Sequence, residues 1–301
     1  MSATPSDLKF PFLVSYAYLR EKDEREIEWI LSNPKIEVLL DSGAFTALNA
    51  GDEILLDEYM NFLRRWGSRL FGYIALDKLG DPSTTDRNLR VMLDAGLRPI
   101  PVHVRGDDGA RMDELFTLSE WVALGGFRRP HRGPARPEYI KQKMEWARGR
   151  NVHWLGYTNF EMVKMFTPFS CDCSSWSAGV RYGEIGFSSN GVWHQRWNSR
   201  TALTRAPELY VIEALEMTGL TMDEFRTPSL WRRNVAGGVP LTKHVPLQLN
   251  AFSWVKHIMF IRRQIGTRLF LACRLADGEA ETLFKCINAC LGGAPYPLSP
   301  A

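Results

Sequence analysis

The stretch VLLDSGAF, residues 38–45, places a carboxylate and an aromatic ring directly after an apolar run. Acids and glycines commonly follow strands because they suit turns, so Asp41 can be a turn residue. The same arrangement also suits one wall of a pocket for a flat, polar ring, with Phe45 beside Asp41. This stretch alone leaves both interpretations open.

Other residues with chemical or backbone roles follow later apolar runs in the same way. They are Asp77, His103, Gly125 with Gly126, Gly156 with Tyr157, and Asp172. In a barrel of parallel strands, the loops after the strands converge at one face, where active sites lie. The three carboxylates are therefore predicted to meet on one rim. His103 is expected to line the pocket or to be a hydrogen-bonded structural histidine.

Seven candidate strands precede residue 172, and helical patterns lie between them. The candidates are residues 12–19, 36–40, 71–76, 98–104, 121–126, 152–157 and 166–171. Strands alternating with helices predict a parallel sheet covered by helices. No strand is followed by a glycine-rich dinucleotide fingerprint, which argues against a Rossmann sheet.

The predicted fold is therefore α/β, a TIM-like (β/α)8 barrel with a helical C-terminal appendage. The eighth strand is expected at 184–189, EIGFSS. The patterns after residue 195 are helical. Residues 1–195 are accordingly assigned to the barrel domain, and 196–301 to a helical region packed on the barrel.

The composition is that of a globular protein with a large core: 301 residues, 45% hydrophobic and 24% charged. A net charge of +3 permits a nucleic-acid partner without requiring one. The five cysteines are an odd number and no signal-peptide pattern begins the chain, which favours free thiols. No apolar run approaches the ~18 residues of a membrane span, so a cytoplasmic protein without a membrane partner is expected.

Five short motifs occur in an order and spacing that resemble one enzyme family. They are DSGAF (41–45), ALD (75–77), ALGG (123–126), WLGYTN (154–159) and CDC (171–173). Together they resemble the tRNA-guanine transglycosylase (queuine tRNA-ribosyltransferase) superfamily, and within it the phage-type DNA-guanine transglycosylases. The resemblance implies exchange of guanine in DNA for a 7-deazaguanine such as preQ0. It places the protein in the host cytoplasm if a phage encodes it.

The resemblance also implies roles for individual residues. Asp172 corresponds to the nucleophile that attacks the sugar's anomeric carbon, and Asp41 to the acid/base at the exchanged base. Phe45 and Leu155 correspond to the residues that sandwich this base. Asp77 corresponds to the carboxylate that binds its edge.

The remaining matches concern the backbone around the base. Gly125 and Gly126 correspond to a glycine pair whose backbone contacts the base, and Gly156 is assigned to the same base site. His103 lies near a family glutamine that also binds the base.

The chemistry of base exchange fits these residue types independently of the resemblance. A purine-like ring needs apolar plates on its faces, and the two donors on the guanine edge suit a carboxylate acceptor. Exchange with retained configuration suits two displacements through a glycosyl ester, with a second carboxylate moving the proton. No cofactor is required, because one glycosidic bond replaces another.

The cysteines depart from the pattern of the tRNA enzymes, many of which carry a zinc site after the nucleophile. Cys171 and Cys173 occupy the first two ligand positions, but Trp176 stands at the third. Alternate residues of a strand point to opposite sides, so both cysteines are expected to face the helix layer. Cys286 and Cys290 are expected on a buried helix face, and no metal site is predicted. In DSGAF, Ala44 stands where the familiar tRNA enzymes have a second glycine.

Three alternatives remain open. The first is the same exchange on tRNA, which the incomplete zinc motif disfavours. The second is a barrel that binds nucleic acid or a modified base without catalysis, which the presence of both Asp41 and Asp172 disfavours. The third is a glycosidase that releases the base to water through the same two carboxylates.

Two basic segments favour a polymeric substrate over a free nucleoside. In the first, residues 128–150, the predicted phosphate-binding residues are Arg128, Arg129, Arg132 and Arg136. The second, residues 193–205, adds Arg196 and Arg200 among aromatic residues. The predicted partners are therefore DNA, as a single strand or a duplex with a flipped base, and a free 7-deazaguanine base.

Overall fold

Eight parallel strands form one curled sheet flanked by helices in the computed structural model of the protein, which describes residues 8–127, 136–232, 240–275 and 278–292. The sheet strands are β1 (Phe10–Ser15), β2 (Ile36–Asp41), β3 (Gly72–Tyr73), β4 (Val102–His103), β5 (Trp121–Leu124), β6 (Asn151–Trp154), β7 (Ser170–Cys173) and β12 (Arg268–Cys273). Their spatial order is β3-β2-β1-β12-β7-β6-β5-β4. The strands therefore succeed one another in chain order around the sheet, which is a TIM-like arrangement.

The strands are apolar on both faces because the sheet is covered on both sides. Along β1, Phe12 and Val14 pack in the large cluster between sheet and helices, whereas Leu13 packs inside the curl. Leu39 of β2 also points inside. We call the interior residues Leu13, Leu39, Ile74, Ile100, Val102, Ala123 and Phe270 the inner cluster.

The two edges of the sheet, β3 and β4, are not joined by a regular ladder. One isolated parallel bridge links Ile74 with Ile100. The Ile100 N–H donates to the Tyr73 carbonyl at 2.8 Å, and the Ala75 N–H donates to the Ile100 carbonyl at 2.9 Å. This bridge brings the edges together and keeps Ile74 and Ile100 in the inner cluster.

The expected eighth strand at 184–189 is wrong. These residues form β8 (Glu184–Ile185) and β9 (Ser188–Ser189), which pair antiparallel with β11 (Trp197–Asn198) and β10 (Val192–Trp193). Strand β12 instead pairs with both β1 and β7. The C-terminal region, which was expected to be helical, therefore contributes a central strand to the sheet.

The local reason lies in the apolar content and the glycines. In β12, Leu269, Phe270 and Leu271 are fully buried, as a strand covered on both faces requires. Residues 184–192 instead turn at Gly191, whose φ is +76° and whose backbone lies against the Phe260 ring. A tight hairpin therefore replaces the expected sheet strand.

The helices cover the outside of the sheet and build the C-terminal region. They are α1 (Tyr16–Leu19), α2 (Glu24–Leu31), α3 (Ala44–Ala50), α4 (Leu56–Trp66), α5 (Pro82–Asp94), α6 (Gly109–Leu118), α7 (Arg136–Ala147), α8 (Phe160–Phe166), α9 (Trp176–Tyr182), α10 (Ser199–Thr204), α11 (Leu209–Thr218), α12 (Met222–Phe225), α13 (Val245–Ile265) and α14 (Glu279–Leu291). In the described segments, 3₁₀ helices span Gly67–Arg69, Pro228–Trp231 and Leu241–Lys243. The long helix α13 packs against α9, α11, α14 and β12, and so connects the C-terminal region to the sheet.

Within the described part of the chain, no helix is both long and apolar enough to cross a membrane.

Candidate active site

Three carboxylates lie at the carboxyl end of the sheet. Asp41 is the last residue of β2, Asp172 lies in β7, and Asp77 follows β3. Burial raises the pKa of Asp41 to about 7, with further contributions from the negative charges of Asp77 and then Asp172. The three side chains are therefore brought together, and one of them holds a proton near neutral pH.

The turn after Asp41 depends on Gly43. Its φ is +84°, and a Cβ atom there would lie 2.6 Å from the backbone nitrogen of Ala17. The Gly43 N–H donates to Asp41 Oδ2 at 3.1 Å. Asp41 is thus a turn residue and also a member of the carboxylate group, and its place in the wall of a pocket for a flat ring stays a prediction.

Asp77 is connected to the same turn through Ser42, whose hydroxyl donates to Asp77 Oδ1 at 3.0 Å. Burial raises the pKa of the Asp77 carboxyl, and this hydrogen bond opposes the rise. Asp77 as a residue is partly buried, so part of it remains accessible to solvent.

Asp172 is held by two groups on its Oδ1 atom. The Gly156 N–H donates to Oδ1 at 2.7 Å, and His153 Nε2 lies 3.2 Å from the same oxygen. His153 Nδ1 lies 2.8 Å from the hydroxyl oxygen of Ser170. Both His153 and Ser170 are fully buried, whereas the Asp172 side chain is 13% exposed.

Sequence reasoning missed His153 and Ser170. The alternation in VHWLGY puts His153 on the same side of β6 as Leu155, and that of SCD puts Ser170 on the same side of β7 as Asp172. This signal was present in the sequence. The contact between the two strands was not.

Phe45 and Leu155, which are predicted to sandwich the base, follow strands on opposite parts of the sheet. Phe45 is on α3, directly after β2, and is 44% exposed. Leu155 follows β6 and is partly buried against the inner cluster. Strands β2 and β6 are four positions apart in the eight-stranded order, so the segments that carry these two residues lie on opposite parts of the sheet.

Gly125 and Gly126, the predicted glycine pair, follow β5 and are contacted by a residue of α7. The Tyr139 hydroxyl donates to the Gly125 carbonyl at 2.9 Å. Gly126 has a φ of +86°, and a Cβ atom there would lie 2.9 Å from Arg105 Cβ. Both glycines lie at the rim, and their predicted contact with a base stays a prediction.

His103 does not join the carboxylates, and its expected place in the pocket is corrected. Val102 and Val104 pack at the inner cluster, so the intervening side chain points outward. There, His103 Nε2 lies 2.9 Å from the Asp108 carbonyl, and Nδ1 lies 3.1 Å from Lys143 Nζ. His103 is a buried structural histidine of the helix layer.

The predicted phosphate-binding residues are only partly described. Arg128, Arg129 and Arg132 lie outside the described residues, and Arg136 is described only as the first residue of α7. Arg196 is 79% exposed and pairs with Glu184 at 2.8 Å. Arg200 is exposed at the start of α10.

The cysteines flanking Asp172 face away from it, as the alternation predicted. Cys171 and Cys173 are buried in the large cluster between the sheet and the helices. Burial raises the pKa of both thiols, to about 12 for Cys173. Cys286 is buried in α14, and Cys290 is partly buried there. Among the described residues, no group of three or more His, Cys, Asp or Glu side chains is placed to hold a metal ion.

The chain matches no protein-family model, and no curated protein matches it either.

Proposed function

We propose that the protein is a DNA-guanine transglycosylase that exchanges guanine for a 7-deazaguanine through a glycosyl ester on Asp172. The observation that carries this proposal is the difference between two neighbouring carboxyl groups. Asp41 keeps a proton to about pH 7, whereas Asp172 Oδ1 is hydrogen-bonded by the Gly156 N–H. Paired acids with different environments are suited to separate roles in one reaction.

In the first displacement, an Asp172 oxygen attacks the anomeric carbon C1′ of the nucleotide. The C1′–N9 bond breaks, and its electron pair leaves with guanine. Asp41 donates its proton to the departing base and becomes a carboxylate. Protonation of the leaving group is the usual contribution of a positioned acid.

In the second displacement, the incoming base takes the place of guanine. Asp41 removes the proton from its ring nitrogen, and that nitrogen attacks C1′ while the bond to Asp172 breaks. Asp41 is again protonated and Asp172 again ionised. The two inversions give retention of configuration, and neither redox change nor nucleotide hydrolysis is needed.

The surroundings suit a flat base. Phe45 and Leu155 follow strands on opposite parts of the sheet and provide apolar faces. Asp77, fixed by Ser42, can accept hydrogen bonds from N1–H and the 2-amino group of guanine. The carboxylates lie at the carboxyl end of the curled parallel sheet, where the active sites of TIM-like barrels lie.

A polymeric substrate must present its base outside the stack, because C1′ has to reach Asp172 inside the mouth. The exposed Arg200 and the predicted arginines of residues 128–136 are suited to the phosphates. These groups bind phosphates and do not distinguish DNA from tRNA. A guanine-incorporation experiment on both polymers distinguishes them.

The test is incorporation of radiolabelled guanine into single-stranded DNA, duplex DNA and tRNA, with the Asp172→Asn variant as the matched control. We expect label in DNA with the wild type, no label with the variant, and similar DNA binding by both. A covalent protein–DNA adduct should be trapped with the wild type alone. Label in tRNA only would favour the tRNA enzyme, and free guanine without label uptake would favour a glycosidase. Binding without either reaction would leave a non-catalytic barrel.

A further inference from the structure

A buried chain of hydrogen-bonding groups lies beneath Asp172. Ser170 Oγ lies 2.8 Å from His153 Nδ1, and His153 Nε2 lies 3.2 Å from Asp172 Oδ1. The exposed fractions of Ser170 and His153 are both 0%. The imidazole edge contacts Trp121 and Phe270, with ring centroids 6.0 and 6.1 Å apart, so an apolar wall fixes its orientation.

The tautomer of His153 follows from its two partners. A carboxylate oxygen only accepts hydrogen bonds, so Nε2 must carry the proton that faces Asp172 Oδ1. The Ser170 hydroxyl can then donate to the unprotonated Nδ1. Both ring nitrogens are satisfied in this neutral form, and no charge has to be buried among Trp121 and Phe270. The neutral Nε2–H form is therefore favoured.

The two oxygens of Asp172 are consequently unequal. Oδ1 receives hydrogen bonds from the Gly156 N–H and from His153. Within the described residues, Oδ2 has no protein hydrogen-bond donor. Donors stabilise negative charge on the oxygen that they touch and lower its nucleophilicity.

We propose that His153 is a positioning residue that holds Asp172 Oδ1 as the Nε2–H tautomer and thereby makes Oδ2 the oxygen that attacks C1′. This inference rests on the proposed function for its chemical consequence. The C1′–Oδ2 bond forms as the C1′–N9 bond breaks, and Oδ1 becomes the ester carbonyl. In the second displacement, the bonding pair of C1′–Oδ2 returns to Asp172 as negative charge.

The two displacements should depend on His153 to different extents. A donor on Oδ1 stabilises the carboxylate that leaves C1′ in the second displacement. Removing this donor should therefore slow the breakdown of the ester more than its formation. The glycosyl-enzyme should accumulate, which a purely structural role of His153 would not produce.

The first measurement needs no substrate. In the ¹⁵N spectrum of the wild-type histidine rings, the ring whose signals disappear in His153→Gln should be in the neutral Nε2–H form. Asp172→Asn should shift its Nε2 resonance, and Ser170→Ala should shift its Nδ1 resonance. A ring protonated only at Nδ1, or at both nitrogens, overturns the proposal whatever reaction the protein catalyses.

The second measurement compares His153→Phe with His153→Gln. The phenyl ring has a similar size but no donor, whereas the glutamine amide can place an N–H near the position of Nε2. We expect kcat for exchange to fall roughly 10- to 100-fold in His153→Phe. This loss lies at or below the lower end of the range for removal of a charge-stabilising donor. The KM for DNA should stay within about threefold, the trapped adduct should increase, and His153→Gln should restore most of the rate.

Equal rates and equal adduct levels for wild type and His153→Phe would overturn the positioning role. If His153→Phe does not fold, Ser170→Ala supplies the comparison, because loss of the Nδ1 partner should also raise the adduct level. A wild type with the Nε2–H ring but neither exchange nor adduct would overturn the proposed function and the assignment of Oδ2. The hydrogen bond between His153 and Asp172 would then stand by itself.

Discussion

Asp41 lies close enough to Asp172 for their carboxylates to repel each other across the mouth of the sheet. Burial of Asp41 is the largest cause of the rise in its pKa to about 7, followed by the charges of Asp77 and Asp172. A proton on Asp41 removes this repulsion. This relationship makes Asp41 the proton carrier of the proposed exchange, and it can be tested in two ways.

The first prediction concerns the role of Asp41 in the exchange. In Asp41→Asn, kcat should fall about 10²–10⁴-fold, because the amide cannot donate the proton that guanine needs to leave. In the wild type, the single-turnover rate of guanine release should decrease as pH rises through about 7, since Asp41 then loses its proton. Rapid-quench measurements between pH 5 and 9 would record both effects. Undiminished release by the variant would leave Asp41 with its turn role alone.

The second prediction concerns protein stability. The pKa of Asp41 is raised to about 7 in the folded protein, whereas a free aspartate side chain has a pKa of about 3.8. Between these values the folded protein binds the proton more tightly than the unfolded chain, so its free energy of unfolding decreases as pH rises. The amide of Asp41→Asn does not titrate, so the variant does not show this decrease in the free energy of unfolding. Relative to wild type, the variant should gain stability from about pH 4 to 7 and keep the gain above pH 7.

Urea denaturation at pH 4, 5.5, 7 and 8 would measure this gain. Asp81→Asn is a useful control, because its hydrogen bonds to Ser83 and Thr84 lower the pKa of that carboxyl. Its contribution should therefore stay nearly constant from pH 5.5 to 8 and be lost only as pH falls below about 4, which is the opposite sign and a different pH window. A constant difference between wild type and Asp41→Asn across the range would contradict the raised pKa.

The third prediction concerns the turn that carries Asp41. Gly43→Ala should reduce stability by more than the ~1–2 kcal/mol of a left-handed residue alone, because its Cβ would collide with Ala17. Gly96→Ala is the matched control, since Gly96 has a φ of +80° and an added Cβ meets nothing within 4 Å. Thermal unfolding of both variants would separate strain from collision. Equal losses would mean that the Ala17 contact relaxes easily.

The fourth prediction concerns the phosphate contacts. Replacing Arg128, Arg129, Arg132 and Arg136 with alanine should weaken binding to all sequences about equally. The slope of log K against log[salt] should become shallower by roughly 0.9 per lost contact on duplex, or ~0.7 on a single strand. Base choice should not change, because phosphate contacts position the strand and the pocket binds the base.

The matched control for this test is Arg196→Ala with Arg200→Ala. An unchanged slope in the quadruple variant, together with a shallower slope in this double variant, would place the strand along Trp193, Arg196 and Arg200. Both variants should be measured on the same oligonucleotide, because salt slopes depend on the strand.

Much of the sheet could be predicted because its strands are short apolar runs bounded by acids and glycines. The same local pattern identified Asp41, Asp77 and Asp172 as the residues at strand ends. A two-residue period also predicted that Cys171 and Cys173 point away from Asp172, which the structure confirms. Asparagine is a common residue before a helix, and the Asn159 side chain accepts the Met162 N–H at 3.1 Å at the start of α8.

Other features needed contacts between distant parts of the chain. The run 98–104 is apolar on both sides, so its sequence does not decide which face of β4 carries His103. Packing of Val102 and Val104 against the inner cluster decides it. Likewise, a strand was expected at 184–189 and none at 268–273, but only residues 268–273 find parallel partners in β1 and β7.

By itself, the sequence located seven of the eight described sheet strands approximately, and the period of two within each strand then set the side on which each side chain lies. Tertiary structure decided what those side chains meet. The pKa of Asp41 depends on burial and on charges from β7 and the segment after β3, and the His153–Asp172 contact joins β6 with β7. Electrostatic and hydrogen-bond energies depend on distances in space, which no spacing along the chain contains.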